Sequence, residues 1–171
     1  MRLDIPDTAA MEDFGRSLGR ELRAGDLVIL TGPLGAGKTT LTRGIGEGLG
    51  IRGPVQSPTF VLARTHPSLV GGAPLVHVDA YRLGSAAELD DLDLDFDRSV
   101  VVVEWGAGLL DGASESWLEL VIERRRGGTG EHAGTDEAAL DDEALDDDEP
   151  RTLTVTGYGP RWAGTGYAAD A

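Results

Sequence analysis

Hydrophobic positions along the chain follow a helical period in three places. The first predicted helix lies between Thr8, its expected N-cap, and Gly25, its expected end. Its apolar side chains recur every three or four residues, at Met11, Phe14, Leu18 and Leu22. A second helix is predicted over residues 38–49, although its interior glycines would each weaken it by roughly 1 kcal/mol relative to alanine. A third, short and acidic, is predicted to follow the cap Ser85 and to end near residue 92.

Short apolar runs alternate with these helices and predict strands. They cover residues 27–30, 60–64, 75–78, 99–103, 117–122 and 153–156. The run at 99–103 is rich in valine, which is typical of a strand buried on both faces. Helices that alternate with buried strands predict an α/β fold with a mostly parallel central sheet flanked by helices, as one domain over residues 1–171.

Composition excludes several classes of function. The 171 residues suffice for one buried core. The chain has no cysteine, which excludes a disulfide framework, a cysteine-ligated zinc site, an iron–sulfur cluster and a thiol nucleophile. No apolar run approaches the roughly 20 residues that cross a bilayer. The first residues lack a basic-then-apolar signal pattern, so we expect a cytoplasmic protein that does not contact membranes.

The net charge of −15 is concentrated in one segment, residues 127–150, which holds ten acidic residues and no basic one. Its glycine-, alanine- and aspartate-rich composition predicts a disordered acidic insertion between two strands. A solubilising loop is the simpler interpretation of this segment, and a binding tail is the other. The acidic balance argues against direct binding of nucleic acid by this chain alone, because neutralisation of phosphates supplies most of that affinity.

A phosphate-binding loop is predicted at residues 32–39, GPLGAGKT, between a predicted strand and a predicted helix. Lys38 is the only lysine beside 14 arginines, so this position needs a compact ammonium rather than a planar guanidinium. In such a loop Lys38 reaches the β- and γ-phosphates of ATP and the Thr39 hydroxyl binds Mg²⁺. The residues expected to bind the nucleotide are Gly32, Gly35, Ala36, Gly37, Lys38, Thr39 and Thr40, together with Thr59 and Trp105 further along the chain.

Two acidic residues stand directly after apolar strands, Asp79 after residues 75–78 and Glu104 after residues 100–103. Both are expected at the carboxyl edge of the sheet, where α/β proteins bind ligands. Each alone is equally compatible with a solvated acid at a strand end. Beside a phosphate loop, the shorter Asp79 suits the metal ion and the longer Glu104 suits the attacking water, although both are candidate metal ligands and the roles could be reversed.

Other candidates leave two interpretations open. His77 fits a buried core residue better than a base. Arg82 can neutralise phosphate or pair with a local carboxylate, and Trp105 can stack on a base or pack. The stretch SPTF at residues 57–60, with Thr59, fits a loop that senses the γ-phosphate or a plain turn.

The four motifs GPLGAGKTT, SPTF, HVDAYRL and VVVVEW, in this order, resemble the TsaE family of bacterial P-loop ATPases in tRNA threonylcarbamoyladenosine biosynthesis. The resemblance implies an ATPase that works with the TsaD–TsaB complex, which modifies adenosine 37 of tRNA, and that resets this complex by hydrolysis. It also implies that Lys38 and Thr39 bind phosphate and Mg²⁺, that Asp79 and Glu104 act near the metal and water, and that Thr59 is a switch residue. Pro33 stands where the family usually carries an acid.

Three functions therefore compete. An Mg²⁺-dependent ATPase serving tRNA modification, with Lys38, Asp79 and Glu104 as catalytic residues, is the first. A nucleotide-gated binding module with little turnover is the second. A small-molecule kinase is the third, and it would need an arginine-rich lid, for which residues 124–126 are the only cluster.

Overall fold

Seven strands form one sheet in the part of the chain that the computed structural model describes, residues 1–58, 62–110, 113–124 and 149–169. The sheet order is β1–β7–β6–β2–β5–β4–β3. The strands are β1 (Arg2–Ile5), β2 (Leu27–Thr31), β3 (Ala63–His66), β4 (Leu75–Asp79), β5 (Val100–Glu104), β6 (Trp117–Arg124) and β7 (Arg151–Tyr158).

The centre of the sheet is parallel and its margins are antiparallel. Strands β6, β2, β5 and β4 pair in parallel, whereas β3 and β7 run against their neighbours. Strand β1 pairs antiparallel with β7 and therefore has the direction of the central strands. Five strands share one direction, and β5 is buried along its whole length, which confirms the predicted mostly parallel α/β sheet.

Three helices accompany the sheet in the described residues: α1 (Thr8–Glu21), α2 (Lys38–Leu49) and α3 (Ala86–Asp90). The bounds of α2 are those predicted, and Ser85 caps α3 as expected. The predicted cap of α1 is wrong, because the Asp7 carboxylate, not Thr8, accepts the N–H of Ala10 at 2.8 Å. The predicted end is also wrong: α1 stops at Glu21, and Gly25, at φ +92°, belongs to the turn that leads into β2.

Two of the three glycines of α2 that were expected to weaken the helix, Gly44 and Gly48, lie where it crosses α1. A Cβ on Gly15 would stand 2.6 Å from the carbonyl oxygen of Leu41, and Cβ atoms on Gly19, Gly44 and Gly48 would meet backbone of the facing helix even more closely. Glycine thus lets the two backbones approach, and the packing gained offsets the low intrinsic helix propensity.

Alternation along the central strands sends side chains into two apolar clusters, one on each face of the sheet. Val28, Leu30 and Val102 pack on the face covered by α1 and α2. Ile29 and Val103 pack on the opposite face, together with residues of α3 and the following loops. The loop between β2 and α2 lies on the face covered by α1 and α2. A ligand bound there, at the carboxyl ends of the parallel strands, can contact both the helix and the sheet.

The ends of the chain complete the sheet in ways that the sequence pattern did not predict. Strand β1 was missed, and it forms by pairing with β7. After β7, Arg161 bonds the buried Asp26 carboxylate at 3.0 Å and Trp162 is buried in the core. Burial and the neighbouring Glu21 raise the pKa of Tyr167 to about 12, so its phenol stays protonated and able to donate to Glu21.

Some predicted segments are shifted or fall outside the described residues. The strand predicted at 60–64 is β3, which covers Ala63–His66; residues 59–61 lie outside the described part. Most of the acidic insertion predicted at 127–150 also lies outside it. Of that segment, Glu149 and Pro150 are described, and both are exposed. No helix among the described residues is long and apolar enough to cross a membrane.

Candidate nucleotide site

The loop of residues 32–37 joins the carboxyl end of β2 to the first turn of α2. Gly35 and Gly37 have φ of +69° and +101°, in the left-handed region that favours glycine. A Cβ on Gly32 would lie 2.9 Å from the carbonyl oxygen of Ile122. These three glycines are therefore required by the path of the backbone, which curves tightly over the start of the helix.

The first turn of α2 lies beneath this loop. Ala36 is fully buried, and Thr39 and Thr40 are 8% and 7% exposed. A helix N-terminus has no intrahelical acceptors for its first N–H groups and carries the positive end of the helix dipole. The predicted phosphate-binding residues are thus brought together in the geometry that binds an anion.

Lys38 fills the interior of the loop with its ammonium group. Its Nζ donates to the carbonyl oxygens of Gly32 at 3.1 Å and Pro33 at 3.0 Å, and the residue is 2% exposed. The same Nζ lies 4.6 Å from the centroid of the Trp105 ring. The ammonium of Lys38 is therefore fixed inside the loop, directly at the N-terminus of α2.

Asp79 and Glu104 are direct neighbours at the ends of adjacent strands. They are register partners of β4 and β5, and alternation puts both on the face of the sheet that carries α2. Glu104 is 4% exposed, whereas Asp79 is partly exposed and accepts the N–H of Tyr81 at 3.0 Å. The structure therefore brings together the two acids predicted from the strand ends.

His77 holds the Glu104 carboxylate in place. Its Nε2 lies 2.8 Å from Glu104 Oε1, and both side chains are buried. An ionised carboxylate only accepts hydrogen bonds, so Nε2 carries the proton when Glu104 is charged. The core interpretation of His77 fits its complete burial, and the contact adds that it orients a site residue.

Trp105 follows Glu104 in a backbone conformation that non-glycine residues rarely adopt. Its φ is +62°, and its N–H donates to the carbonyl oxygen of Leu30 at 3.0 Å, across the end of β2. Its ring meets Tyr81 edge-on, with centroids 5.6 Å apart. Strain of this kind persists where surrounding structure holds it, often at functional sites. Of the two interpretations of Trp105, stacking on a base or packing, its contacts with Lys38 and Tyr81 are those of a packed ring.

Two further residues proposed from the sequence have different outcomes. Thr59, the expected switch residue, lies outside the described residues; Ser57 and Pro58 before it are partly or fully buried. Arg82 is exposed.

Two arginines at the site were not foreseen as binding residues. Arg124 and Arg151 both donate to the carbonyl oxygen of Gly35, at 2.7 and 3.2 Å. They lie 89 and 116 positions from Gly35 in the sequence, so no local pattern could connect them to the loop. From the sequence, Arg124 stood out only as part of the arginine cluster at residues 124–126, and Arg151 did not stand out at all.

The donor set suits Mg²⁺ in combination with a nucleotide. Among the described residues no group of three or more histidine, aspartate or glutamate side chains could hold a metal ion by itself. Magnesium at phosphate sites takes one or two protein oxygens and completes its octahedron with phosphate oxygens and waters. The Thr39 hydroxyl and the carboxylates of Asp79 and Glu104 are hard oxygen donors of the required kind.

The fold and the loop define a P-loop nucleotide-binding protein. The model of the family described as "Threonylcarbamoyl adenosine biosynthesis protein TsaE" matches residues 5–131. The chain belongs to the TsaE family.

Relatives support this membership over most of the chain. The tRNA threonylcarbamoyladenosine biosynthesis protein TsaE of Streptomyces coelicolor is 56% identical over 156 residues, which cover 90% of this chain and 94% of the relative. The proteins of the same name from Mycobacterium tuberculosis H37Rv and Bacillus subtilis are 53% and 41% identical, over 70% and 60% of this chain and 75% and 64% of their own length. A crystal structure of Bacillus subtilis YdiB superposes with a TM-score of 0.63 at 28% identity, covering 94% of this chain and 86% of that one.

Proposed function

We propose that this chain is an Mg²⁺-dependent ATPase that serves the threonylcarbamoylation of adenosine 37 in tRNA. The observation that carries the proposal is the position of Lys38. Its ammonium lies inside the loop at the N-terminus of α2, on the face of the sheet where Asp79 and Glu104 end adjacent strands. A phosphate chain bound there has a cation and a helix terminus on one side and two carboxylates at the neighbouring strand ends.

Binding of the phosphates would redirect groups already in the loop. Lys38 would exchange the carbonyl oxygens of Gly32 and Pro33 for β- and γ-phosphate oxygens, which bear charge and accept more strongly. The missing N–H of Pro33 does not affect this exchange, because the carbonyl of Pro33 is the group that contacts Lys38.

The two acids would have different roles in hydrolysis. Asp79, partly exposed and short, would orient the waters of a metal ion that the Thr39 hydroxyl also binds. Mg²⁺, when bound, supplies neutralisation of the charge on the phosphates. Glu104, fixed by His77, would orient the attacking water and accept its proton.

The biological setting comes from the relatives. A relative that is 56% identical to this chain carries the name of tRNA threonylcarbamoyladenosine biosynthesis protein, and the sequence resemblance adds the TsaD–TsaB complex as partner. We infer that ATP hydrolysis here resets that complex between modification cycles and that tRNA is reached through the complex. The acidic balance of the chain, −15, supports an indirect relation to tRNA.

The alternative is a nucleotide-gated module whose bound state, not its turnover, matters to the partner. The burial of Glu104 against His77 is the observation that favours it, since a carboxylate engaged by histidine is partly occupied as a base. A kinase is less well supported, because Arg124, the first of the cluster needed for a lid, donates to the loop carbonyl of Gly35.

Reconstituted tRNA modification separates the first two functions. We expect repeated cycles of threonylcarbamoylation by TsaD–TsaB when this chain and ATP are present. When a nonhydrolysable ATP analogue occupies the nucleotide site of this chain instead, we expect no more than one cycle per complex. The threonylcarbamoyl donor is supplied preformed, so that ATP serves this chain alone. Repeated cycles with the analogue would establish the gated module and refute the ATPase role.

A further inference from the structure

Two guanidinium groups converge on one carbonyl oxygen of the phosphate loop. Arg124 ends β6 and Arg151 begins β7, and the two residues are register partners across the antiparallel pair. Each donates through Nη2 to the oxygen of Gly35. Arg151 is 2% exposed and Arg124 is partly buried. Burial of a guanidinium carries a desolvation cost. Because both side chains donate to the same loop atom, their burial serves to hold the loop.

This contact fixes the direction of the peptide that joins Gly35 to Ala36. In a trans peptide the C=O and the following N–H point in opposite directions. The Gly35 oxygen is held outward by the arginines, and the Ala36 N–H accordingly donates inward to Pro33 O at 3.1 Å. The interior that this N–H faces is the one occupied by Lys38 Nζ, which also binds Pro33 O.

The glycine itself leaves this peptide without a side-chain restraint. Gly35 adopts φ +69°, and glycine populates several regions of conformational space at similar cost. The arginines add to the restraint that the Ala36 N–H bond to Pro33 O provides, and they oppose a rotation of the Gly35 peptide that would bring its carbonyl oxygen toward the phosphates. The two guanidinium charges also raise the positive potential at the loop, beside that of Lys38.

We propose that Arg124 and Arg151 are positioning residues of the nucleotide site, which hold the Gly35 carbonyl outward so that the loop amides face the β-phosphate. This inference rests on the proposed function in one respect, that the loop binds a nucleotide. It adds that affinity for the β-phosphate is controlled from the β6–β7 pair, at a distance in sequence from the loop. The arginines should therefore affect the binding of nucleotides that have a β-phosphate and should not affect the binding of adenosine monophosphate, which lacks one.

Titrations with ADP, ATP and AMP test this on purified full-length protein. Arg124→Gln and Arg151→Gln are expected to raise the Kd of ADP and ATP at least tenfold, which corresponds to about 1.4 kcal/mol. The Kd of AMP, measured by displacement of a fluorescent analogue, is expected to stay within twofold. Arg124→Lys, which keeps a cationic donor, is expected to retain more ADP affinity than Arg124→Gln. The matched control is Arg98→Gln. Arg98 is exposed and precedes the N-terminal end of β5, at the edge of the sheet opposite to the nucleotide site.

The melting temperatures of the variants show whether a loss of ADP affinity comes from a mispositioned loop or from a general loss of structure. Should Arg151→Gln fail to fold, the more exposed Arg124→Gln carries the test. An ADP affinity within twofold of wild type in folded Arg124→Gln, or an equal loss of AMP and ADP affinity, would overturn the inference while leaving the proposed function intact. Failure of the wild-type protein to bind ADP would instead overturn the proposed function, and this inference with it.

Discussion

Replacement of Lys38 by alanine is expected to abolish ATP turnover and to weaken ATP binding by roughly a thousandfold. Two unit charges 4 Å apart interact by about 4 kcal/mol at an effective dielectric constant of 20, and that is the interaction this variant loses. Lys38 is also the only lysine of the chain, so no other ammonium can substitute. Isothermal titration with ATP and Mg²⁺, alongside a phosphate-release assay, measures both effects.

Lys38→Arg separates the need for charge from the need for an ammonium. The guanidinium is larger and planar, and the space around Nζ is enclosed by two loop carbonyls and the Trp105 ring, so this variant is also expected to fail. Arg20→Ala, which removes one positive charge from an exposed position of α1, is the control and should behave as wild type. Near-normal turnover by Lys38→Arg would show that Lys38 does not act as a point charge on the phosphates.

Glu104→Gln is expected to lower ATP turnover at least tenfold, a barrier change of about 1.4 kcal/mol or more, with ATP affinity nearly unchanged. The glutamine carbonyl can still accept from His77 Nε2, so the local structure should survive while the proton acceptor is lost. Single-turnover hydrolysis and ATP titration, both with Mg²⁺, distinguish the two effects.

Asp79→Asn provides the contrast. Asparagine keeps an acceptor for the Tyr81 N–H but loses the charge that favours a divalent cation. We expect it to weaken nucleotide binding in the presence of Mg²⁺ and to leave metal-free binding unchanged. If Glu104→Gln loses the Mg²⁺ dependence of binding and Asp79→Asn keeps it, the two acids have the opposite roles.

Much of the site was predictable because its chemistry is encoded locally. The loop motif, the strand before it and the helix after it are contiguous, so Lys38 and the bounds of α2 followed from spacing alone. The acids at Asp79 and Glu104 were recognisable because each ends an apolar strand, and parallel strands deliver their ends to one edge. That the two are register partners required the strand order, which the sequence pattern does not contain.

The missed features depend on contacts between distant parts of the chain. Strand β1 has only four residues and is stabilised by pairing with β7, more than 140 positions later. Gly44 and Gly48 of α2 have low helix propensity, and the reason for them is their close approach to α1, which carries Gly15 and Gly19 on the facing side. Arg151 begins a strand far from the loop in the sequence, so its hydrogen bond to the Gly35 carbonyl oxygen could not be predicted from the sequence pattern.

ATP hydrolysis by the purified protein, measured with Mg²⁺ in the absence and presence of the TsaD–TsaB complex, tests the central claim most directly. The account predicts slow Mg²⁺-dependent release of phosphate by the chain alone, a steep rise when the complex is added, and loss of both in Lys38→Ala. Absence of Mg²⁺-dependent hydrolysis with and without the complex, or hydrolysis that persists in folded Lys38→Ala, would contradict it.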